Sequence, residues 1–375
     1  MRFRVLLRAG LFGALSLAAL GGGAPARAAG LSASTAATLD RALNSVMAPP
    51  TFTGAGAPID PAALKGKLIF TIPVSTAIPF CSVVDTQMGK FARELGMRYE
   101  VWQNNAQLAQ WAQGFTAAAE HKAGLVNVFC GLDPATVAPQ VRQTLAAGTP
   151  VVAAHTYAEG QKPLAGLSAI VYGAYVPAAK LEADWVIRQT NGAADVLVIT
   201  SPGTANAPFI VTAIKQQFAA YCPSCKLRVI GVNPPDWATK IGPQVQSAIL
   251  ADRKLNYIIP IYDGMVQFVM PPITATGAGA RVKIASFNAT PAVLDMIRTG
   301  NVVTFDIGED TRWLAGAIID QDMRVLLHKP LVADDISGLR AFTKANISAA
   351  GVPAKFGVGY GASAAAGYKK LWGLH

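Results

Sequence analysis

The stretch Lys67-Leu-Ile-Phe-Thr-Ile-Pro-Val-Ser-Thr-Ala-Ile-Pro-Phe-Cys81 decides the fold of this chain. Its first half is apolar and rich in β-branched residues, and it has the length of one buried strand. Pro79 suits the first turn of a helix, where its missing N–H costs nothing. After Cys81 the chain is apolar at helical spacing, at Val84, Met88, Phe91 and Leu95. A buried strand that leads directly into a helix predicts a parallel α/β sheet, and such sheets bind ligands at the carboxyl ends of their strands.

The alternation of strand and helix patterns continues from this stretch to residue 327 and restarts once, at Asp195. Strand patterns follow at residues 98–102, 124–130 and 150–154, each separated from the next by a helix pattern. Such a βαβ series forms a parallel sheet with right-handed crossovers. Two successive units of similar size predict an α/β protein of two Rossmann-like lobes with a cleft between them.

The N-terminal residues 1–28 have the order of a secretory signal peptide: a basic start, an apolar run over residues 11–20 and the small-x-small pattern Ala26-Arg27-Ala28. We expect cleavage near Ala28 and export to the periplasm, with an N-terminal membrane anchor as the alternative. Residues 29–65 are rich in Ala, Pro, Gly, Ser and Thr, and they predict a flexible N-terminal extension with one helix candidate at residues 34–47.

Charge and cysteine usage exclude several classes of function. Loss of residues 1–28 would lower the formal charge from +10 to +6, because that segment holds four arginines and no acids. The remaining excess is spread along the chain without a basic block, so no nucleic-acid partner is predicted.

Cys222 and Cys225 lie between a helix pattern and a strand pattern, which favours a structural disulfide over a redox site. One close cysteine pair predicts no metal site, and no cofactor is expected.

Several short segments resemble the type I periplasmic substrate-binding proteins of sugar-type ABC importers, and the ribose-binding group in particular. The resemblance extends from about residue 65 to residue 327. The segments that show it are Val74-Ser-Thr-Ala-Ile-Pro-Phe-Cys81, Asp133-Pro-Ala, Ile261-Tyr-Asp-Gly-Met265 and Ser286-Phe-Asn-Ala-Thr-Pro291. Their order and spacing are more specific for the fold than for the ligand.

The resemblance implies two lobes that are joined by three crossings of the chain and close around a ligand. It puts the crossings near residues 173–175, 306–307 and 329–332. Lobe 1 would then comprise residues 66–173 with 307–330. Lobe 2 would comprise residues 174–306 with 331–375.

The resemblance also implies a set of ligand-binding residues at the cleft. Phe80 matches a strand-1 phenylalanine of the family, and Trp237 matches an aromatic residue of the second lobe. The full expected set is Phe80, Cys81, His155, Tyr175, Phe209, Trp237, Tyr262, Asn288 and Asp306. We expect His155 and Asn288 to orient the ligand by hydrogen bonds. Cys81 and Cys130 are either buried thiols or a disulfide, because strands 1 and 3 are neighbours in this fold.

The chain departs from the family at many polar positions, which bears on the ligand. Ile78 stands where an Asn precedes the Pro-Phe pair, and Ala154-His-Thr156 stands where the family has Asp-Arg. No arginine falls on a matched ligand position, so an anionic ligand would lack its bidentate clamp. We therefore expect a small neutral ligand that is relatively apolar, aromatic, alcohol-like or sugar-like, and the carboxylates of Asp263, Asp306 and Glu309 leave a cationic ligand as the alternative.

These features predict a monomeric receptor that delivers a small molecule to an inner-membrane ABC permease. The alternative is a sensory receptor that presents a sugar or an aromatic ligand to a membrane kinase or chemoreceptor. An enzyme is not expected, because the chain has no Gly-x-Ser-x-Gly elbow and no paired-histidine motif. The sequence does not name the ligand or its affinity.

Overall fold

The computed structural model describes residues 30–54, 56–300, 302–333 and 335–374. The predicted signal peptide lies outside the described residues. The described part contains two mostly parallel sheets with helices on their faces, as the sequence predicts. The first lobe has a five-stranded sheet in the order β2-β1-β3-β4-β5, with strands β1 (Leu68–Pro73), β2 (Arg98–Val101), β3 (Leu125–Phe129), β4 (Val151–Ala158) and β5 (Ala169–Gly173). Its helices are α2 (Pro79–Glu94), α3 (Leu108–Glu120), α4 (Ala138–Ala146), α10 (Thr311–Leu326) and α11 (Ser363–Leu371).

The second lobe has a six-stranded sheet in the order β11-β10-β9-β8-β6-β7, with β11 antiparallel to β10. Its strands are β6 (Asp195–Thr200), β7 (Lys226–Gly231), β8 (Tyr257–Pro260), β9 (Lys283–Phe287), β10 (Val303–Glu309) and β11 (Leu339–Phe342). Its helices are α1 (Ala33–Asn44), α5 (Tyr175–Gln189), α6 (Ala207–Tyr221), α7 (Trp237–Ala251), α8 (Val266–Ala275) and α9 (Pro291–Thr299).

The opening strand and helix form as the sequence predicts, because both have an apolar surface to bury. All six residues of β1 are buried, as expected for a central strand that is covered on both faces. Pro79 occupies the first turn of α2. In both sheets the strand order reverses beside the first strand of the lobe, which places a ligand crevice at the carboxyl ends of the strands there.

The chain crosses between the lobes after β5, after β10 and after α10. The first crossing follows β5, at residues 173–175. The second follows Glu309, which is the last residue of β10, rather than residues 306–307, which still pair with β9 and β11 in the second sheet. The third lies beyond Asp335, because that side chain still accepts a hydrogen bond from Trp313 Nε1 of the first lobe at 2.9 Å.

The N-terminal segment packs on both lobes, which differs from the expected flexible extension at residues 29–65. Helix α1 buries Leu39 and Leu43 in the core of the second lobe. The chain then passes to the first lobe, where the Phe52 ring lies 5.0 Å from the Trp313 ring and 4.9 Å from the Tyr368 ring. This segment is therefore a fourth crossing.

The C-terminal tail also divides between the lobes, which corrects the expectation that residues 331–375 belong to the second lobe. Strand β11 joins the second sheet, but Tyr368 of α11 and Trp372, which directly follows α11, are buried in the core of the first lobe. The reason is the aromatic face of α11, which covers α10 at Gly316, where an added Cβ would lie 2.2 Å from the Tyr368 ring. Within the described residues the chain thus crosses between the lobes five times.

Candidate ligand-binding site

A small cavity lies between the lobes at the carboxyl ends of both sheets. It encloses about 30 Å³, which is room for little more than one water molecule. The first lobe contributes Val74, Ile78, Phe80, Cys81, Cys130 and His155, and the second contributes Tyr175, Thr204, Asn206, Trp237, Tyr262 and Asn288. A solvent-exposed cleft of about 240 Å³ adjoins it and shares Ile78 and Trp237 with it. The cavity as it stands is smaller than a ring-sized solute.

Seven of the nine expected ligand-binding residues meet at this cavity, namely Phe80, Cys81, His155, Tyr175, Trp237, Tyr262 and Asn288. Phe209 and Asp306 do not line it. Phe209 is half-buried on α6 against the core of the second lobe. Asp306 is fully buried behind the cavity wall, where its carboxylate supports the backbone.

The aromatic walls of the cavity are held rigidly. Phe80 is 3% exposed, and its ring lies 5.2 Å from the His155 ring at an interplanar angle of 39°. Trp237 donates a hydrogen bond from Nε1 to the carbonyl oxygen of Val232 at 3.0 Å. The Trp237 ring lies against Gly264, where an added Cβ would approach it to 3.1 Å. Both rings thus present fixed apolar surface to the cavity.

Cys81 and Cys130 form a disulfide in the cavity wall, which settles the alternative that the sequence leaves open. Their Cα atoms are 5.9 Å apart, so the bond ties the first turn of α2 to the turn after β3. Cys222 and Cys225 form the second disulfide, between α6 and β7, at the place where a structural bridge is expected. Among the described residues there is no free cysteine.

One buried donor in the cavity wall has no partner. Tyr262 donates its hydroxyl proton to Asn206 Oδ1 and lies 3.1 Å from Thr204 Oγ1. These contacts orient the Asn206 amide and leave Asn206 Nδ2 buried without a hydrogen bond. A buried donor without a partner costs roughly 1–3 kcal/mol, so Asn206 Nδ2 is suited to a ligand oxygen.

Asn288 lies in a strained turn that buried carboxylates support. Its φ is 130°, and that of Ala289 is 49°. Asp306 Oδ1 accepts a hydrogen bond from the Ala289 N–H at 3.1 Å, and Asp263 Oδ2 accepts one from the Thr290 N–H at 2.7 Å. Burial is the main cause that raises the pKa of both carboxyl groups. Asp306 therefore lies outside the cavity and stabilises the turn that places Asn288 in the cavity wall.

His155 does not have the free hydrogen-bonding nitrogen that the sequence analysis expects. Its Nε2 lies 2.6 Å from Glu309 Oε2, and its Nδ1 lies 2.8 Å from the Tyr175 hydroxyl oxygen. Both ring nitrogens are thus occupied by the protein, and His155 offers the cavity the surface of its ring. Burial raises the pKa of the Tyr175 hydroxyl well above its usual value, so that hydroxyl stays protonated.

Sequence reasoning missed Thr204 and Asn206, which supply polar atoms to the cavity. A signal was present, because the two residues stand just after β6 and just before α6. That is the edge where parallel sheets bind ligands. Among the residues that line the cavity there is no lysine or arginine. Among the described residues no group of three or more His, Cys, Asp or Glu side chains could hold a metal ion.

Two parallel sheets with a cavity at their facing carboxyl ends, joined by hinge crossings, define a two-lobed solute-binding protein. The chain belongs to the periplasmic binding protein domain family, whose model matches residues 69–330. That family is one of binding proteins. No curated protein matches the chain significantly. In the part of the chain that the structure describes, no helix has the length and apolar character needed to span a membrane.

Solved structures share the fold at low sequence identity. A sugar ABC transporter protein from Yersinia enterocolitica is 15% identical with a TM-score of 0.69, over 85% of this chain and 100% of that chain. The myo-inositol binding protein from Caulobacter is 20% identical with a TM-score of 0.65, over 75% and 94%. A 5-methylthioribose transporter solute-binding protein from Thermotoga lettingae is 14% identical with a TM-score of 0.65, over 75% and 87%.

Proposed function

We propose that the protein is a monomeric periplasmic receptor that binds one small neutral solute between its lobes and delivers it to an inner-membrane ABC permease. The observation that supports this most directly is the cavity at the lobe interface, with Phe80 from one lobe and Trp237 from the other. The ligand would bind fully only when the lobes are closed. Export and removal of a signal peptide near Ala28 belong to the same proposal.

The chemistry of the cavity wall supports a neutral ligand with a flat or apolar part and at least one oxygen. Aromatic rings favour a flat face and contribute about 0.5–1.5 kcal/mol per pair beyond area burial. The unpartnered Asn206 Nδ2 is suited to a hydroxyl, ether or carbonyl oxygen. Among the described residues the Asn288 side chain makes no hydrogen bond either, so it can add a second contact. The solved neighbours named above bind myo-inositol and 5-methylthioribose, two polyhydroxy compounds without a charged group.

The first experiment is a thermal-shift screen of the mature protein with sugars, polyols, methylthio sugars, aromatic acids and alcohols. A ligand of the cavity stabilises the folded state by mass action. We expect a neutral compound to raise the melting temperature and the carboxylic acids to leave it unchanged. A response to acids alone would contradict the ligand class. A bound solute whose cellular uptake does not depend on the protein would favour the sensory alternative.

The second experiment is titration calorimetry of variants with the compound that the screen identifies. Phe80→Ala and Trp237→Ala should each weaken binding at least tenfold, which is about 1.4 kcal/mol. Trp185→Ala is the matched control, because that tryptophan stacks on Phe305 inside the second lobe and does not line the cavity. Wild-type affinity in both cavity variants would show that the site is wrongly placed.

A further inference from the structure

Glu309 is a buried carboxylate at the junction of the two lobes. It is the last residue of β10 and is 1% exposed, at the point where the chain leaves the second sheet. Its Oε1 accepts a hydrogen bond from the Ala174 N–H at 3.0 Å, and it accepts another from the Ser337 hydroxyl. Ala174 belongs to the first crossing, Glu309 to the second and Ser337 to the third. One carboxylate therefore joins all three crossings of the expected hinge.

The same carboxylate reaches the ligand cavity through His155. Glu309 Oε2 lies 2.6 Å from Nε2 of His155, a residue of β4 in the first lobe. The His155 ring lies 4.7 Å from the Tyr175 ring and 5.2 Å from the Phe80 ring, and all three line the cavity. The position of this wall thus depends on a group that also holds the hinge.

Hydrogen bonds hold both edges of the His155 ring. Nε2 faces a carboxylate oxygen of Glu309, which can only accept, so Nε2 carries a proton and donates it. At the other edge, the Tyr175 hydroxyl oxygen lies 2.8 Å from Nδ1 and 2.9 Å from the carbonyl oxygen of His155. The ring is thus fixed between Glu309 and Tyr175.

The surroundings of Glu309 favour its carboxylate form. Burial by itself would raise the pKa of the Glu309 carboxyl, but the interaction with His155 and the donated hydrogen bonds from His155, Ser337 and Ala174 outweigh it, so that pKa lies below its usual value. A hydrogen bond to a charged acceptor is stronger than one to a neutral acceptor. Loss of the Glu309 charge should therefore weaken the bond that His155 Nε2 donates.

We infer that Glu309 is a positioning residue that couples the ligand cavity to the hinge. It fixes His155 against Tyr175 and Phe80, and it holds the three crossings together through Ala174 and Ser337. Movement of the His155 wall on ligand contact then changes the hydrogen bonds of the hinge directly. The inference rests on the proposed function for the identity of the cavity, but the contacts themselves involve only this chain.

The test needs no ligand. Proton–nitrogen-15 spectra of the histidine rings in untagged protein detect the Nε2–H proton that is hydrogen-bonded to the Glu309 carboxylate, and His155→Gln assigns the signal. Small-angle scattering gives the radius of gyration of the same samples. Glu309→Gln should shift the Nε2–H proton signal of His155 upfield, because its acceptor is then neutral, and increase the radius of gyration. Glu182→Gln is the matched control, because Glu182 is an equally buried carboxylate of the second lobe that does not contact His155, and it should change neither signal.

Ser337→Ala separates the hinge contact from the His155 contact and also keeps the test decisive should Glu309→Gln fail to fold. It should leave the Nε2–H signal of His155 in place and still increase the radius of gyration. Absence of the hydrogen-bonded Nε2–H signal in the wild type, an unchanged signal in Glu309→Gln, or an unchanged radius of gyration in Ser337→Ala would each overturn the inference. If the solute screen fails while these signals change as expected, the proposed function fails and the coupling stands.

Discussion

Asp85 of α2 gives a quantitative prediction about pH. Its side chain is buried, Oδ1 accepts a hydrogen bond from the Tyr99 hydroxyl at 2.7 Å, and Oδ2 has no partner. Burial raises the pKa of Asp85 to about 7 in the folded protein, against a partly opposing effect of the Tyr99 hydrogen bond. In the unfolded chain the pKa is near 3.9. The folded state thus binds a proton that the unfolded state has lost.

The sign and size of the effect follow from proton linkage. A carboxyl group whose folded pKa is raised contributes its full stability below the unfolded pKa, and that stability is lost as the pH rises through the folded pKa. Between pH 5 and pH 8, Asp85 alone should lower the free energy of unfolding by roughly 2–3 kcal/mol. Asp85→Asn keeps the acceptor for Tyr99 and cannot titrate, so this part of the pH dependence should disappear.

The assay is urea unfolding at both pH values, followed by tryptophan fluorescence. We compare the change in unfolding free energy between pH 5 and pH 8 and not its absolute value, because the new amide adds donors of its own. Glu159→Gln, on an exposed turn, is the matched control and should keep the wild-type pH dependence. If wild type and Asp85→Asn lose the same stability between the two pH values, the reasoning is refuted.

Three further variants test the packing. Gly308→Ala would place a methyl group 2.4 Å from the Cβ of Ala289. The variant should lower the free energy of unfolding by about 1–3 kcal/mol and reduce the thermal shift that any cavity ligand produces. Wild-type values of both quantities would contradict this close packing. Phe52→Ala removes a ring held between two aromatic side chains, so urea unfolding should show a loss of about 1–3 kcal/mol, whereas an unchanged midpoint would mean that the fourth crossing is not anchored. Replacement of Cys222 and Cys225 by serine should lower the free energy of unfolding by about 2 kcal/mol or less, because the disulfide closes a short loop. The wild-type protein should not reduce insulin, and turnover in that assay would exclude a purely structural bridge.

The sequence predicts the fold well where its signals are local. The apolar run before Cys81, the proline in the first turn of α2 and the spacing of Val84, Met88 and Phe91 describe a strand, a turn and a helix that form as expected. Their alternation along the chain then requires parallel sheets. The family segments add the order of the lobes and the location of the cleft.

The remaining features depend on contacts between residues that are distant in sequence. In the sequence, Phe52 belongs to a Pro- and Gly-rich stretch that predicts a linker, and only the fold brings Trp313 and Tyr368 against its ring. The sequence predicts His155 as a ligand donor, whereas in the structure Glu309 and Tyr175 occupy its ring nitrogens. In each case the deciding partner is more than one element away, and no pattern of apolar spacing could identify it.

The split of the terminal segments between the lobes offers a way to observe closure in real time. Helix α1 packs on α5 in the second lobe, and α11 packs on α10 in the first. A donor and an acceptor fluorophore, one attached near each terminal helix, would therefore move with different lobes. Energy transfer between them would report each opening and closing event without a substitution at the cleft. The chain could then serve as the scaffold of a solute biosensor, with its two terminal helices as the attachment points.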